Sequence, residues 1–274
     1  MKNIFLKFCA AAIILVSLSC EQVVDIDLKT AAPKLVVEAN INWQKGTSGS
    51  MQSIKLSTTT AYFSNTYPVV NNAVVTVKNS ANISFNFIEM NNSGVYQCLN
   101  FVPQINEKYT LTIISNGQTY AATETLKPIA TITKIEQKND GGFLGKSKEI
   151  KAFYLDPAAE NNFYLYRYQY SGVAKPDTYV DEDEFFQGNP FFSVSQNSDL
   201  KTGDIVTVTH FGISQQYQNY LSILLAIAGN SGGGPFQSPP ATVRGNVVNQ
   251  TSFENFPLGY FSLSETDQRI YTMQ

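Results

Sequence analysis

The chain has 274 residues, of which 43% are hydrophobic, 12% are aromatic and 15% are charged, and its formal net charge is −3. The high hydrophobic and aromatic content excludes an intrinsically disordered chain, because such chains cannot bury enough apolar surface to fold. The negative charge argues against a nucleic-acid-binding protein, which needs a basic face for the phosphates. The length suits one large domain or two domains of modest size.

The first twenty residues have the pattern of an export signal. A basic start is followed by the apolar run 8–18, which is shorter than the roughly 20 apolar residues that span a bilayer. The stretch 17–20, Ser-Leu-Ser-Cys, resembles a bacterial lipobox, in which cleavage occurs before a lipid-modified cysteine. We therefore predict that residues 1–19 are a signal peptide and that Cys20 is lipidated; the alternative is ordinary secretory cleavage with a free thiol.

The predicted lipid on Cys20 would account for membrane attachment. Two or more acyl chains such as palmitate give a stable anchor, because each buried methylene contributes about 0.8 kcal/mol. Without residues 1–19 the chain keeps 17 of its 19 basic residues against 22 acidic ones, a net charge of −5, so overall charge does not attract it to anionic lipid. We expect residues 20–32 to be a tether between the lipid on Cys20 and the folded part of the chain.

Residues 33–128 have the alternation of a β-sandwich domain. Apolar and polar residues alternate in several short segments, which is typical of half-buried antiparallel strands. Asn116 and Gly117 separate two such segments and predict a type I′ hairpin. About seven short strands at this spacing predict a sandwich of immunoglobulin or transthyretin type.

Residues 129–274 are predicted to form a second β-rich domain, with the boundary near residue 128. The polar stretch 138–147 and the Lys-Pro pair at 127–128 bracket a strand predicted at 131–136. The predicted fold class is therefore mainly β.

One amphipathic helix is predicted at about residues 214–228. Ser214 is a favourable N-cap, and Gly229 is a favourable C-terminal stop. Apolar residues recur between them at helical spacing, which predicts one buried face. Ile223 and Ile227 lie on the other side, and they indicate either burial on a second side or contact with a partner.

A row of tyrosines is the candidate ligand or partner surface of the second domain. Four tyrosines occupy every second position of a predicted strand: Tyr164, Tyr166, Tyr168 and Tyr170. Exposed, they could stack on sugars or anchor a protein partner. The pattern favours burial of this row, with Arg167 and Gln169 facing water, because aromatic stripes usually pack in a core.

The densest run of charge is the acidic stretch 181–184. Asp181 and Asp183 could contribute to a calcium site, but the EF-hand pattern is absent because two phenylalanines follow directly. A solvated loop is the favoured prediction. The sequence has no glycine pattern for phosphate or dinucleotide binding, and no cofactor is predicted.

The residues that could support catalysis or metal binding lack partners. Cys98 has no second cysteine in the mature domains and is predicted to be a small buried residue. His210 is the sole histidine and is predicted to be structural, because a zinc site needs further ligands. The stretch 229–233 matches G-x-S-x-G but follows a helix instead of a strand, so we interpret it as a loop.

Several short stretches occur in an order that resembles a known family. They begin with Cys20 and the stretch 34–41, and they end with Pro-Pro-Ala-Thr-Val-Arg-Gly-Asn-Val at 239–247 and Pro-Leu-Gly-Tyr-Phe at 257–261. The chain is similar to the outer-membrane lipoproteins of Bacteroidota-type bacteria that form domain-of-unknown-function family 4249. The resemblance implies attachment to outer-membrane lipid through Cys20, with the leaflet, periplasmic or cell-surface, left open. It also implies a protein that acts beside TonB-dependent transporters. Physically, Gly245 indicates a bulge or a close backbone approach in a late strand.

Two functions from different classes follow. The first, which we favour, is a non-enzymatic, lipid-anchored binding or accessory module that docks on a TonB-dependent transporter or helps its substrate arrive. The second is a surface glycan-binding or glycan-processing protein that uses the tyrosine row and the acidic run. A glycosidase needs two carboxylates about 5–10 Å apart in a cleft, and the sequence does not place such a pair.

Overall fold

A computed structural model gives the architecture for residues 31–61, 64, 66–158, 160–228 and 243–274. The predicted signal peptide, Cys20, most of the tether and the glycine-rich stretch 229–233 lie outside these described residues.

The described residues form strands and one helix, α1, at Gln215–Ala228. The strands of the first half are β1 Leu35–Gln44, β2 Gln52–Thr58, β3 Val74–Asn79, β4 Ser84–Glu89, β5 Val95–Cys98, β6 Lys108–Ser115 and β7 Gln118–Thr125. Those of the second half are β8 Lys134–Gly141, β9 Ser147–Leu155, β10 Phe163–Tyr170, β11 Asp177–Glu182, β12 Pro190–Asn197, β13 Ile205–Ile213, β14 Val248–Asn249 and β15 Leu258–Thr272. The predicted fold class, mainly β with one amphipathic helix, is confirmed.

The strands pair in two sheets. Twelve described strands form one continuous sheet in the order β11-β10-β13-β15-β1-β2-β5-β4-β3-β6-β7-β14. Three further strands form a second sheet in the order β12-β9-β8. The long strand β15 runs parallel to β1 on one side and antiparallel to β13 on the other. This last strand therefore joins the two halves of the chain through backbone hydrogen bonds.

The first core lies inside the predicted sandwich. Strands β1 to β7 bury their alternate apolar side chains in a single cluster, so the larger sheet folds back on itself as a two-layered sandwich. The seven strands in this range agree with the predicted number. Asn116 has a φ of 48° and Gly117 has a φ of 71°, which are the positive values that a type I′ turn requires.

The second core lies between strands β9, β10, β12 and β13, but the two halves are not independent. Phe261 and Leu263 of β15 pack in the first core, whereas Met273, just beyond its end, packs in the second. Residues 127–132 run from the first core to the second, and two carboxylates of β15 bind their backbone N–H groups. Glu265 accepts a hydrogen bond from the Ile129 backbone N–H (3.0 Å), and Asp267 accepts one from that of Ile132 (2.6 Å). The backbone just after the predicted boundary near residue 128 is therefore held by hydrogen bonds to β15.

The polar stretch that follows the strand predicted at 131–136 itself forms regular structure. The polar stretch 138–147 belongs to the β8–β9 hairpin, because β8 continues to Gly141 and β9 begins at Ser147. Polar residues suit this position, because an edge strand such as β8 has an outer side that faces water.

Candidate interaction surface

The tyrosine row lies in the second core. Tyr164, Tyr166, Tyr168 and Tyr170 are each at most 2% exposed. Arg167, on the opposite face of β10, is exposed. Burial, the favoured interpretation of the row, is confirmed, and the row is not a ligand or partner surface.

Each tyrosine hydroxyl has a hydrogen-bond partner inside this core, as buried hydroxyls require. The partners come from β9, β12 and the residue that follows β9: Tyr166 with Tyr154 (2.5 Å), Tyr168 with Ser193 (2.6 Å), Tyr170 with Ser195 (2.5 Å), and Tyr164 with the Asp156 carboxylate. Burial raises the pKa of all four hydroxyls above that of an exposed tyrosine. These hydrogen bonds therefore connect β10 of the twelve-stranded sheet to β9 and β12 of the three-stranded sheet.

His210 takes part in the same network. The Ser193 Oγ atom lies 2.6 Å from His210 Nε2, and Nδ1 has no hydrogen-bond partner within the described part of the chain. Burial lowers the pKa of His210 to about 3, so the imidazole is neutral at pH 7. A serine beside a neutral histidine is the pairing that nucleophilic catalysis uses. Both residues are at most 2% exposed, so no substrate reaches this pair in the described structure.

The sequence did not predict the hydrogen-bond partners of the tyrosines. Ser193 and Ser195 alternate along β12 and face the row, whereas Asp156 follows β9. The serines of such an alternation are a weak signal by themselves, because small polar residues also suit solvent-facing positions. Only the packing of β12 against β10, which no local pattern reports, identifies them as core residues.

The first half of the acidic run is a strand end instead of a solvated loop. Residues 177–182 form β11, which pairs with β10. Asp183 is buried and accepts hydrogen bonds from the Asn162 backbone N–H (2.8 Å) and side-chain amide (3.2 Å). Burial raises the pKa of Asp181. The loop prediction is wrong for Asp181 and Glu182, which pair with the edge of β10, and solvation is wrong for Asp183; Glu184 lies in an exposed turn as predicted. The described residues contain no group of three or more metal-binding side chains around Asp181 or elsewhere.

Cys98 also lies where the sequence predicts. It ends β5 inside the first core, and its Sγ is 3.2 Å from Asn100 Oδ1. The residue acts as a small core side chain.

Helix α1 is fixed at its start by a serine with two roles. Ser214 Oγ accepts a hydrogen bond from the Tyr217 N–H (3.2 Å) and donates one to the Glu124 carboxylate of β7 (2.7 Å). The predicted N-cap is confirmed. Tyr217 and Leu221 then pack in a small core with Tyr260 of β15, so the first two turns of the helix are held on the sheet.

The second half of α1 presents apolar side chains to solvent. Ile223 is 52% exposed, Leu224 is 36% exposed and Ile227 is 40% exposed. The prediction of a buried apolar face is therefore confirmed as far as Leu221. It is wrong at Leu224, which has the same helical spacing but is exposed. Of the two interpretations of Ile223 and Ile227, burial on a second side does not occur within the described part of the chain.

A groove of about 420 Å³ lies beside these residues. Tyr220 and Tyr260 line it with their ring centroids 4.8 Å apart, and Arg244 lies on its other side with its guanidinium carbon 3.8 Å from the centre of the Phe256 ring. Polar side chains complete the lining: Gln216, Asn219 and Asn246. We call this groove together with Ile223, Leu224 and Ile227 the α1 surface. Tyr260 is buried and Tyr220 is half-buried, so the exposed side chains of this surface are the three aliphatic ones, Arg244, Gln216 and Asn219. Aliphatic, tyrosine and arginine side chains together are typical of protein-binding patches.

The family assignment follows from the sequence. The model of the domain of unknown function DUF4249 matches residues 21–270, and the chain belongs to this family. No curated protein matches the chain. Within the described residues no helix is both long and apolar enough to cross a membrane.

Three solved structures show distant similarity to the chain. A two-domain fibronectin type-III segment from chicken tenascin has 11% identity and a TM-score of 0.22, covering 66% of this chain and 90% of that one. The FN1–FN3 domains of chicken CNTN1 have 12% identity and a TM-score of 0.27, covering 67% and 62%. A DUF4785 family protein from Legionella pneumophila has 10% identity and a TM-score of 0.27, covering 67% and 54%.

Proposed function

We propose that this protein is a lipid-anchored interaction module of a bacterial outer membrane that docks on a TonB-dependent transporter. Cys20 would carry the lipid, and the folded unit would bind its partner through the α1 surface. The anchor is supported by the export-signal pattern at residues 1–20, and the membership of family DUF4249 agrees with the resemblance from which the transporter was expected.

The observation that carries the proposal is the exposed apolar end of α1. Ile223, Leu224 and Ile227 lie on a helix whose other turns pack firmly on the sheet, so these side chains are held in place before a partner arrives. Binding through a preformed surface loses less conformational entropy than binding through a loop. A large apolar patch with a polar rim marks an interaction site more often than an isolated apolar residue does.

The tyrosine row and Asp183, on which the alternative glycan function depends, are not available to a sugar. The tyrosines that would have stacked on sugars are buried, and the acidic residue Asp183 is occupied by hydrogen bonds to Asn162. The Ser193–His210 pair is enclosed in the core. No described site therefore favours glycan processing over docking.

Two measurements test the proposal separately. Mass spectrometry of the native protein tests the anchor: we expect a mature chain that begins at a diacylglyceryl-modified Cys20. A chain that begins elsewhere, or one with a free Cys20 thiol, would refute the anchor.

Co-purification from detergent-solubilised outer membrane tests the docking surface. We expect the lipidated protein to recover a TonB-dependent transporter, and the double variant Ile223→Asp, Ile227→Asp to lose it. Ile83→Asp is the matched control, because Ile83 has a similar exposure of 54% but lies in the sandwich half of the chain. Equal recovery with all three proteins would exclude the α1 surface, and recovery of no transporter by the parent would exclude the partner.

A further inference from the structure

The tip of the β8–β9 hairpin has an unusual composition. Residues 142–145 form a tight turn, closed by a hydrogen bond from the Gly145 N–H to the Gly142 carbonyl (3.1 Å). Phe143 and Leu144 occupy its two central positions. Phe143 is 103% exposed and Leu144 is 75% exposed. Turn centres normally carry Gly, Asn, Asp, Ser or Pro, because these residues suit the backbone and water.

Other turns of the same chain follow the normal rule. The β6–β7 hairpin has Asn116 and Gly117 at its centre, and the β4–β5 connection contains Asn91 and Asn92 at positive φ. In the 142–145 turn the two glycines at the ends, Gly142 and Gly145, take the positive φ values. The turn geometry therefore does not require Phe143 or Leu144, and neither side chain is buried in the fold.

The surroundings of the turn are basic, although the protein as a whole is acidic. Residues 141–148 contain two lysines and no acidic residue, and the two acidic residues next to this stretch are both paired with other lysines. Glu149 pairs with Lys151, with 3.3 Å between Oε1 and Nζ. Lys138, on the other strand, pairs with Asp140, with 3.8 Å between Nζ and Oδ1. In contrast, Lys146 and Lys148 form no ion pair with any described residue. Two free cations therefore flank two exposed apolar side chains.

This arrangement fits the surface of an anionic phospholipid bilayer. An apolar pair at a protruding turn can enter the boundary between headgroups and acyl chains, while flanking lysines remain at the level of the phosphates. The lysines contribute an attraction that is local to the surface and screened by salt. A protein partner would match the apolar pair equally well, but the two free lysines favour phosphate headgroups.

We infer that the 142–145 turn is a second membrane contact, in which Phe143 and Leu144 insert into an anionic phospholipid surface beside Lys146 and Lys148. This contact does not depend on lipidation of Cys20 or on the proposed docking through α1. It would hold the folded unit against the bilayer, whereas an acyl anchor with a tether would only keep it nearby.

The test uses the mature full-length chain with Cys20→Ser, so that acyl chains cannot attach it to lipid. Sedimentation with vesicles of phosphatidylcholine and phosphatidylglycerol is compared with sedimentation with vesicles of phosphatidylcholine alone. We expect binding to the mixed vesicles, and a decrease of roughly tenfold or more in the partition coefficient for Phe143→Ser, Leu144→Ser. Lys146→Glu, Lys148→Glu should weaken binding by at least about fivefold and reduce its salt dependence.

Phe185→Ser is the matched control. Phe185 is 90% exposed but follows the acidic residue Glu184, so its replacement should leave vesicle binding unchanged. All variants should unfold at the parent's midpoint, because none of the changed side chains is buried. A Phe143→Trp variant should also show a blue shift of its emission on vesicle addition, after subtraction of the Trp43 signal.

Each of the following results would overturn the inference. The first is a parent protein that stays in the supernatant with mixed vesicles at low salt. The second is unchanged sedimentation of the Phe143→Ser, Leu144→Ser variant, or an emission of the Phe143→Trp variant that does not shift. The third is a photo-crosslinker at position 144 that, in outer membranes, captures a protein and no phospholipid.

Discussion

Gly245 and Gly259 contact each other through their backbones. A Cβ atom on Gly245 would lie 1.6 Å from the Gly259 carbonyl oxygen, and a Cβ on Gly259 would lie 2.0 Å from the Val37 carbonyl oxygen. Next to this contact the Asn246 side chain both donates to the Phe261 carbonyl (2.8 Å) and accepts from the Phe261 N–H (2.9 Å). Three backbone segments thus lie face to face where the parallel pair β1–β15 begins. The predicted close approach at Gly245 is confirmed, although the residue lies before β14 and not within a strand.

We expect Gly245→Ala to lower the free energy of unfolding by about 3 kcal/mol or more, because the methyl group must displace the β15 backbone. Urea unfolding measures the change. Gly172→Ala is the control: Gly172 has a φ of +77° but open space around it, so only the backbone conformation is penalised, by about 1 kcal/mol. Similar losses for the two variants would contradict the close approach.

The link between α1 and the sandwich half predicts a second stability effect. Ser214→Ala removes both the cap of the Tyr217 N–H and the hydrogen bond to Glu124, and we expect a loss of about 2 kcal/mol. Ser222→Ala serves as the control, because the exposed Ser222 hydroxyl bonds only within the helix, to the Gln218 carbonyl. This control should change stability by less than about 0.5 kcal/mol. An unchanged Ser214→Ala protein would show that the cap contributes nothing.

The Ser193–His210 pair predicts a difference between two variants of the second core. Ser193→Ala leaves the His210 ring and the Tyr168 hydroxyl without their shared partner, and we expect a loss of about 3 kcal/mol. Tyr168→Phe leaves Ser193 bonded to His210 and should lose only about 1 kcal/mol. Chemical denaturation at pH 7 compares them. The reverse order would mean that Ser193 does not connect the two rings.

His210 also predicts a pH dependence. Its pKa is lowered to about 3 in the folded protein by burial, from 6.5, so between these values the unfolded chain binds a proton that the folded chain does not. The free energy of unfolding therefore falls as the pH decreases from 6.5 towards 3, by on the order of 4 kcal/mol over the whole window, and His210 contributes no slope above it. Unfolding of the parent and of His210→Gln at several pH values measures this. Parallel profiles would contradict the prediction.

Local sequence patterns were sufficient for the elements whose signals are local. The alternation of β6 and β7, the Asn116-Gly117 turn and the Ser214 cap each depend on residues close in sequence, and each is found as predicted. The close approach at Gly245 is also found, but Gly245 precedes β14 and lies in no strand, so the predicted late strand at this position is wrong.

The remaining features depend on partners far apart in the chain. The parallel pairing of β1 with β15 joins residues more than 200 positions apart, and no periodicity reports it. Ser193 became a core residue only because β12 packs on β10, and Asp183 was predicted to be solvated because its partner Asn162 lies 21 positions away. The second half of α1 was predicted to have a buried face because its apolar residues have helical spacing. That spacing does not show where the sheet beneath the helix ends.

Site-specific photo-crosslinking in intact outer membranes tests the central claim most directly. A crosslinking amino acid at position 223 of the lipidated protein should capture a TonB-dependent transporter, whereas the same group at position 83 should not. Loss of the crosslink on addition of Ile227→Asp would assign it to the α1 surface. Capture of the same transporter at both positions, or of no transporter at position 223, would contradict the account.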